Sequence, residues 1–528
     1  MGYSKHCGYN RTSVNKKKYI LKIGLMQKSC YTDKNFYLSR NITMAKTPSI
    51  IDHYPDYEVT IGMEVHVQLS TKSKIFCSCP NMIAKEPNTN ICNICSGHPG
   101  VLPVLNKQVL DWAILAGLAT NCNITRISQF ARKHYFYPDL PKNYQTTQSD
   151  QPICAEGNLP IRLEDGSIKN VRLIRIHMEE DAGKNTHAAT NESFVDLNRA
   201  GTPLLEIVSY PDISGTQEVK AYLQALRSIV LYLKIGTGNM EDGAFRADTN
   251  ISVRKKGAKE LGTRCELKNI NSFKFISDAV EYEIERQIEL LEAGGKVRQE
   301  TRLWDSKAKE TIVMRSKEEA ADYRYLTDPD LPILQIDDDW IERTRKTMPE
   351  LPHQKFDRLI KEKGLTPYEA DIIVDDLELA NYFEKTAQNV APKQAVNWIL
   401  RDVMGYLKEH KISLHEFKVS PEKLAQIIEL VETGKINNAA AKEVFEVVAQ
   451  TGATPADVVK EKGLEQVGAS PELEAMIKEI VDANPTVVAD YKSGKERLFG
   501  FFVGQAMQKT QGKGNPKIIQ ELLKKYLS

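Results

Sequence analysis

The sequence predicts an α+β protein in which a mainly antiparallel-sheet domain with bracing helices is followed by an all-α helical domain and a small helical tail domain. Three observations carry this expectation. From Tyr57 to about Met348, short alternating runs are split by Gly, Pro, Asn and Asp, as in NLPIRLEDG, VRLIRIHMEEDAG and RADTNISVRKKG; half-buried strands and their turns read this way. After Pro349 the alternation stops, and YEADIIVDDLELANYFEKTAQ and QAVNWILRDVMGYLKEH carry apolar residues at i, i+3 and i+4, the helical period. A chain of 528 residues also exceeds what one core ordinarily serves, so it divides into domains.

Taken in order, residues 1–53 stand apart as an extension. Lys5, Arg11, Lys16, Lys17, Lys18, Lys22, Lys28, Lys34, Arg40 and Lys46 meet only Asp33 before Asp52, without periodicity. An organelle-targeting peptide is basic and acid-poor in this manner. Met44, followed by AKTPSIIDHYPDYEV, reads equally well as a natural start, and that second reading is preferred; disorder is expected on either. Residues 54–349 form the sheet domain, braced by helices over Leu110–Cys122, from Thr216 to Gly236 with caps at those two residues, and from Ser277 to a Gly pair. Residues 350–455 are expected to be a helical domain and 456–528 a tail. Near its end the tail carries Lys492, Lys495, Arg497, Lys509, Lys513, Lys517, Lys524 and Lys525 against Glu496 and Glu521, either a solvated surface or a polyanion-binding one.

Composition excludes more than it assigns. With 71 basic and 70 acidic residues the chain has no global field, so any polyanion must meet local patches. The apolar fraction is 41% and no apolar run approaches the roughly 18 to 20 residues that span a bilayer. Nine cysteines, an odd number, do not form a secreted disulfide framework, and a reducing compartment is expected.

Four cysteines cluster in FCSCPNMIAKEPNTNICNIC: Cys77 and Cys79, then Cys92 and Cys95. Two thiolate pairs across a Pro- and Asn-rich loop suit a tetrahedral zinc ion, although the first pair has one intervening residue instead of the commoner two; free buried cysteines are the alternative. Four protein ligands leave no open position, so such a zinc is structural.

The strands pose a second question. In IGMEVHVQL, Glu64 and His66 share a face opposite Met63, Val65 and Val67. Arg175, His177 and Glu179 share another opposite Ile174, Ile176 and Met178; Arg246, Asp248 and Asn250 oppose Phe245, Ala247 and Thr249; Glu266 and Lys268 lie together. Each alone reads as a solvated sheet face. Together they supply what a divalent cation and phosphate require: hard oxygen ligands and charged donors. A nucleoside triphosphate fits that chemistry, yet GxxxxGKS/T and a strand-following GxGxxG are both missing, so a nucleotide would have to bind on a sheet. No GxSxG elbow supplies an acyl-enzyme nucleophile.

IGMEVHVQL, the cysteine quartet with SGHPGVLPVLN, RKHYFYPDLPKNYQTTQ, HMEEDAGK, DLNRAGTPLLEIVSYPD, MEDGAFRADTNISV, CELKNINSF and DYRYLTDPDLP occur in that order. Together they resemble the B-subunit family of the glutamyl/aspartyl-tRNA amidotransferases, from about Tyr57 to Ser528, with GQAMQKTQGKGNPKIIQELLKKYL similar to that family's tRNA-contacting tail. The resemblance implies a cradle-like sheet domain that binds ATP, Mg²⁺ and the tRNA acceptor end and converts a misattached Glu or Asp side chain to an acyl phosphate. It also implies an amidase A subunit, a Ser-Ser-Lys glutamine hydrolase that sends ammonia through a tunnel, and a small C subunit completing a heterotrimer.

Carried over by position, the family's Mg²⁺ ligands fall on Glu64, His66, Glu179, Asp248 and Glu266, and Glu179, His66 and Lys268 are expected at the reacting atoms. Arg246 and Lys268 are the expected phosphate contacts. Lys142, Asn143, Asn198 and Arg199 either meet the nucleotide or terminal adenosine or serve the fold. Some relatives lack the cysteine quartet, so zinc stands outside the chemistry. The implied compartment is the bacterial cytoplasm, or alternatively the mitochondrial matrix. Two rival readings are a non-enzymatic tRNA-binding module, built on the tail and zinc knob, and a metal-dependent hydrolase using Glu64, His66 and Glu179.

Overall fold

The structure, a computed structural model, describes residues 49–82, 84–187, 192–316, 323–466, 471–510 and 514–527. The disorder expected for the extension falls outside these residues up to position 48. Residues 49–53 differ from that expectation: Ile50–His53 form a short 3-10 turn, tied down where Ser49 Oγ and Ile50 N donate to the Glu281 carboxylate at 3.0 and 2.7 Å.

Nine strands build one sheet. They are β1 (Tyr57–Gln68), β2 (Asn123–Ile124), β3 (Cys154–Arg162), β4 (Ile168–Glu180), β5 (Pro203–Ser209), β6 (Phe245–Lys255), β7 (Cys265–Lys268), β8 (Glu300–Asp305) and β9 (Glu310–Ser316). Their order is β9-β8-β7-β6-β1-β5-β4-β3-β2. Only β7 and β8 pair in parallel. The alternation of β1 explains its central place: Val59, Ile61, Met63, Val65 and Val67 are buried on one face, leaving Glu64, His66 and Gln68 on the other. Fully burying each large apolar side chain contributes about 1.5–3 kcal/mol, so a one-residue slip of this strand would forfeit the core face and bury the charges.

Helices α1 (Lys107–Ala119), α2 (Thr216–Tyr232) and α3 (Phe273–Glu292) cover the apolar face, joining one core with Val65, Ile176, Ile207 and Ile251. Their starts depart from expectation for local reasons. Helix α1 begins a turn early because the Asn106 side chain accepts from Gln108 N at 2.9 Å. Helix α3 begins before Ser277, whose hydroxyl bonds back to the Phe273 carbonyl at 3.0 Å from inside the helix. Thr216 is the first helical residue of α2, with Gly215 at the cap position.

From Asp338 onward the described residues are largely helical and form two further apolar clusters, one over Phe356–Val459 and one over Leu473–Leu527. The stretch of helical period from Tyr368 divides into two helices at Asp376, which is extended and whose carboxylate accepts from Glu378 N and Leu379 N at 2.7 and 3.1 Å. The sheet and first helical cluster are joined by Tyr232 Oη donating to the Val374 carbonyl at 3.0 Å and by Arg162 over the Phe356 ring at 3.8 Å. Part of the tail's basic charge is neutralised: Lys495, Lys509 and Lys525 pair with Asp490, Glu479 and Glu474 at 2.9, 2.9 and 2.8 Å. Lys513 lies outside the described residues. Among the described residues no helix is long and apolar enough to cross a membrane.

Candidate active site and metal centre

Strand register gathers the polar residues. In β1 and β6, Glu64 faces Asp248 and His66 faces Arg246; on the other side of β1, His66 faces Glu206 of β5. Strand β5 in turn sets Glu206 against His177 and Leu204 against Glu179 of β4, while Asn250 faces Glu266 of β7. Directly opposed residues project from the same face, so Glu64, His66, Glu179, Asp248 and Glu266 all stand on the face turned away from α1, α2 and α3.

The side chains converge as well. His66 Nε2 lies 3.7 Å from Glu64, 3.5 Å from Glu179 and 3.3 Å from Glu206. Ligand atoms of Glu64, His66 and Asp248, and of His66, Glu179 and Glu206, each fall within 4.8 Å of one another, two sets that share the imidazole. Lys268 Nζ bonds Asp248 at 2.6 Å and lies 3.2 Å from Glu266, whose other oxygen accepts from Thr301 Oγ1 at 2.9 Å. Arg246 pairs with Asp181 at 3.2 Å. A cavity of about 560 Å³ opens over His66, Glu179, Asp248, Arg246 and Lys268. A larger one of about 710 Å³ lies away from this cluster, between β3, α2 and the helices after Pro352.

The buried acids of the cluster hold the neighbouring bases in their charged forms. Burial pulls the His66 imidazolium down, but the Glu206 hydrogen bond and the charges of Glu179, Glu206 and Glu64 outweigh it and push its pKa up to about 9. His177 is likewise raised to about 9, burial being overcome by Glu206 and Glu179. Burial and repulsion from Glu206 raise Glu64. Burial disfavours the charge of Glu206 too, yet the two imidazoles hold its carboxyl well below the usual range. Lys268 is raised because Asp248 and Glu266 outweigh its burial. Carboxylates gathered around one imidazole can hold a divalent ion, and the oxygen and imidazole donors present suit Mg²⁺ or Mn²⁺.

The four cysteines form a separate centre. Their sulfurs lie within 4.8 Å of one another, with Cys92 and Cys95 at 3.9 Å; a tetrahedron of ~2.3 Å Zn–S bonds has S···S edges of about 3.8 Å. Lys74 is fully buried and donates to the Asn90 carbonyl at 2.9 Å and to Cys95 Sγ at 3.7 Å. A buried ammonium requires a counter-charge. A Cys77 hydrogen bond, with the Cys92 N–H and then Lys74, outweighs burial and lowers the Cys95 thiol to about 4, in the thiolate form that a metal takes.

Known proteins share this arrangement of sequence. The family model described as the GatB/GatE catalytic domain matches residues 59–342, and the one described as the GatB domain matches 381–527. The B subunit of the aspartyl/glutamyl-tRNA(Asn/Gln) amidotransferase of Chlorobaculum tepidum is 50% identical over 473 residues, covering 89% of this chain and 99% of that protein. The corresponding protein of Geotalea daltonii is 51% identical over 477 residues, covering 89% and 99%, and that of Brachyspira hyodysenteriae is 50% identical over 481, covering 90% and 100%. The chain belongs to the amidotransferase B-subunit family. It is therefore an enzyme component, and its fold is the mixed sheet domain and helical C-terminal region described above.

Within this fold, the residues expected to meet the nucleotide are unequally placed. Asn198 is a strut: its amide oxygen accepts from Asn90 N at 2.8 Å and its nitrogen donates to the Glu86 carbonyl at 2.7 Å, which ties the cysteine loop to the sheet. Arg199 borders the cavity, but its guanidinium caps the Ala182 and Gly183 carbonyls at 3.0 and 2.6 Å. Lys142 bonds the Glu180 carboxylate and Thr146 Oγ1. Asn143 is exposed at a φ of 60°, the left-handed conformation that Asn tolerates in turns. Next to Arg199, Gly201 has φ +80° and joins the two centres: its N–H donates to Asp181 O at 3.0 Å and its carbonyl accepts from Ile75 N at 2.9 Å. Glu206 is absent from the residues expected at the site because PLLEIVS looks like a buried apolar strand; the signal available was an acid in the middle of that run.

Proposed function

We propose that this protein uses ATP to phosphorylate the side-chain carboxylate of Glu or Asp misattached to tRNA(Gln) or tRNA(Asn), and amidates it with ammonia from a partner amidase. The observation that carries the reading is the single sheet face on which Glu64, His66, Glu179, Glu206, Asp248 and Glu266 stand beside Lys268 and Arg246. The relatives' names supply the substrate class. A carboxylate does not accept ammonia, because oxide is no leaving group. Attack by its oxygen on the γ-phosphorus of ATP releases ADP and gives an acyl phosphate; ammonia then forms the C–N bond as inorganic phosphate departs.

Glu64, His66, Glu179, Asp248 and Glu266, with Glu206 added, would hold Mg²⁺, which when bound supplies the positive charge that lets phosphate and attacking carboxylate approach. Lys268 and Arg246 would meet phosphate oxygens as charge-assisted donors, each exchanging a carboxylate partner for the nucleotide. Glu179 is nearly fully buried, so its charge acts where water screens it little. The cysteine quartet fits a structural zinc. The A and C subunits and the tRNA body on the basic tail complete the assembly, in the bacterial cytoplasm or the mitochondrial matrix.

The test is to measure ATP hydrolysis and amide formation on misacylated tRNA, with and without the amidase. Amide is expected only with ATP, and added ammonium should replace the amidase. Binding of tRNA without ATP turnover would leave a binding module instead, and turnover without ATP a hydrolase.

The two imidazoles also set a pH dependence. Their folded pKa values of about 9 lie above the ordinary 6.5. Their stabilising contribution to the metal-free protein is therefore complete below pH 6.5 and is lost as pH rises through about 9. Mn²⁺ must displace the His66 proton, so its apparent affinity should rise over the same interval. Thermal melting of the metal-free protein and Mn²⁺ titration at several pH values check both; trends in one direction for both would contradict the assignment.

A further inference from the structure

Lys142 and Glu180 meet in the seam between the cysteine loop and the end of β4. Neither lines the catalytic cavity; both border a void of about 30 Å³ with Phe76, Cys77 and Cys95, room for a water but not for a nucleotide. Lys142 Nζ bonds the Glu180 carboxylate, donates to Thr146 Oγ1 at 3.2 Å and stands 4.9 Å from the Tyr144 ring centroid. Its stem rests on the cysteine loop, where a Cβ added at Gly97 would come 2.8 Å from Lys142 Cγ. One short strand, Tyr144–Thr147, grips both neighbouring acids. Gln145 Nε2 donates to the Glu180 carbonyl and Thr146 N to the Glu180 carboxylate, each at 2.8 Å, and Thr147 Oγ1 donates to the Glu179 carboxylate at 3.4 Å.

We propose that Lys142 and Glu180 are positioning residues for Glu179, a clamp that fixes the end of β4 against the cysteine loop so that the Glu179 carboxylate stands at the cation position with His66 and Glu206. The inference deepens the function proposed above and rests on its metal assignment. Successive side chains of a strand point to opposite faces, so Glu180 is turned away from the cavity that Glu179 enters, and anchoring the one sets the backbone from which the other projects. A cation is held tightly only where its donors are kept in place, and the groups that orient those donors matter nearly as much as the donors do. Glu180 is 4% exposed, and an ion pair buried to that degree gives little net stability; holding a neighbour's geometry is what it contributes. Lys142 thereby belongs to the support of the site and not to the nucleotide.

The test is the Mn²⁺ affinity of the full chain as purified, without nucleotide, in Lys142→Met, in Glu180→Gln and in the double variant. Each single change is expected to weaken Mn²⁺ binding roughly tenfold. The double variant should bind no worse than the poorer single, because one clamp is lost only once; a loss equal to the product of the two overturns the proposal. The signs separate positioning from bare charge. Removing a cation beside the site would tighten Mn²⁺ binding and removing an anion would loosen it, so opposite shifts in the two single variants overturn the clamp. Unchanged Mn²⁺ affinity in both overturns it as well, whether only the thermal midpoint falls, as for a strut, or only ATP affinity falls, as for a nucleotide contact. Should Lys142→Met not fold, Lys142→Gln, which still donates to Glu180, is read by the same sign. A wild type that binds no Mn²⁺ sinks the metal assignment and the functional reading with it; a wild type that binds Mn²⁺ while both variants keep its affinity sinks the clamp alone.

Discussion

Replacing Glu179 with alanine is expected to lower ATP-dependent amide formation by at least about a hundredfold, while glutamine hydrolysis by the assembled complex continues. Glu179 faces His66 at 3.5 Å and His177 at 3.7 Å and accepts from Thr147 Oγ1 at 3.4 Å, all in a buried setting. Removing it takes one hard oxygen ligand from the set that contains His66 and Glu206 and leaves buried imidazoles with one anion fewer. On the proposed mechanism, amide formation requires charge cancellation between phosphate and carboxylate, and glutamine hydrolysis in the amidase does not. Glu179→Gln, which keeps the volume and an oxygen acceptor, separates loss of the charge from loss of packing. The checks are chromatography of the amino acid released from tRNA and Mn²⁺ stoichiometry in each variant. Undiminished amide formation in Glu179→Ala would refute the ligand assignment.

Cys95→Ser, or treatment with a chelator to remove the proposed zinc, should produce the largest loss of stability, with the loop rather than the catalytic face as its seat. Between Gln68 and Lys107 no helix or strand is formed among the described residues, only an isolated bridge from Ser73 to Pro80. Such a segment has little regular hydrogen bonding to hold it, and a structural zinc can contribute on the order of 10 kcal/mol to folding. Losing the thiolate also strands the buried Lys74 ammonium without its anionic partner. Mass spectrometry should find one zinc per wild-type chain and none in Cys95→Ser. Limited proteolysis should then cut between Asn81 and Asn93, and the thermal midpoint should drop. A protein that holds no zinc, or resists protease equally after chelation, would sink this reading.

Helices α1 and α3 show how local the legible part was. Their apolar period was visible, but each start depended on a cap: Asn106 opened α1 one turn before its apolar run, and Ser277, a good capping residue, was drawn inside α3. The catalytic face was legible strand by strand in a similar way. Alternation placed Glu64 with His66, and Arg246 with Asp248, without saying that β1 lies between β5 and β6. Glu206 escaped because the apolar residues around it are buried on both sides of the strand. Asn198 stayed open between a nucleotide contact and a role in the fold because its partners, Asn90 and Glu86, lie 108 and 112 residues away.

The sequence by itself determined which stretches are sheet and which helix, which side of each strand is polar, and that four sulfurs fall within one loop, because these follow from spacing along a single segment. Only the tertiary structure decided which polar faces coincide, that Glu206 joins His66, that Asn198 braces the cysteine loop, and that three tail lysines are already paired. Strand register, burial and ion pairing join positions as far apart as Glu64 and Asp248, and such contacts exist only once the intervening chain has closed.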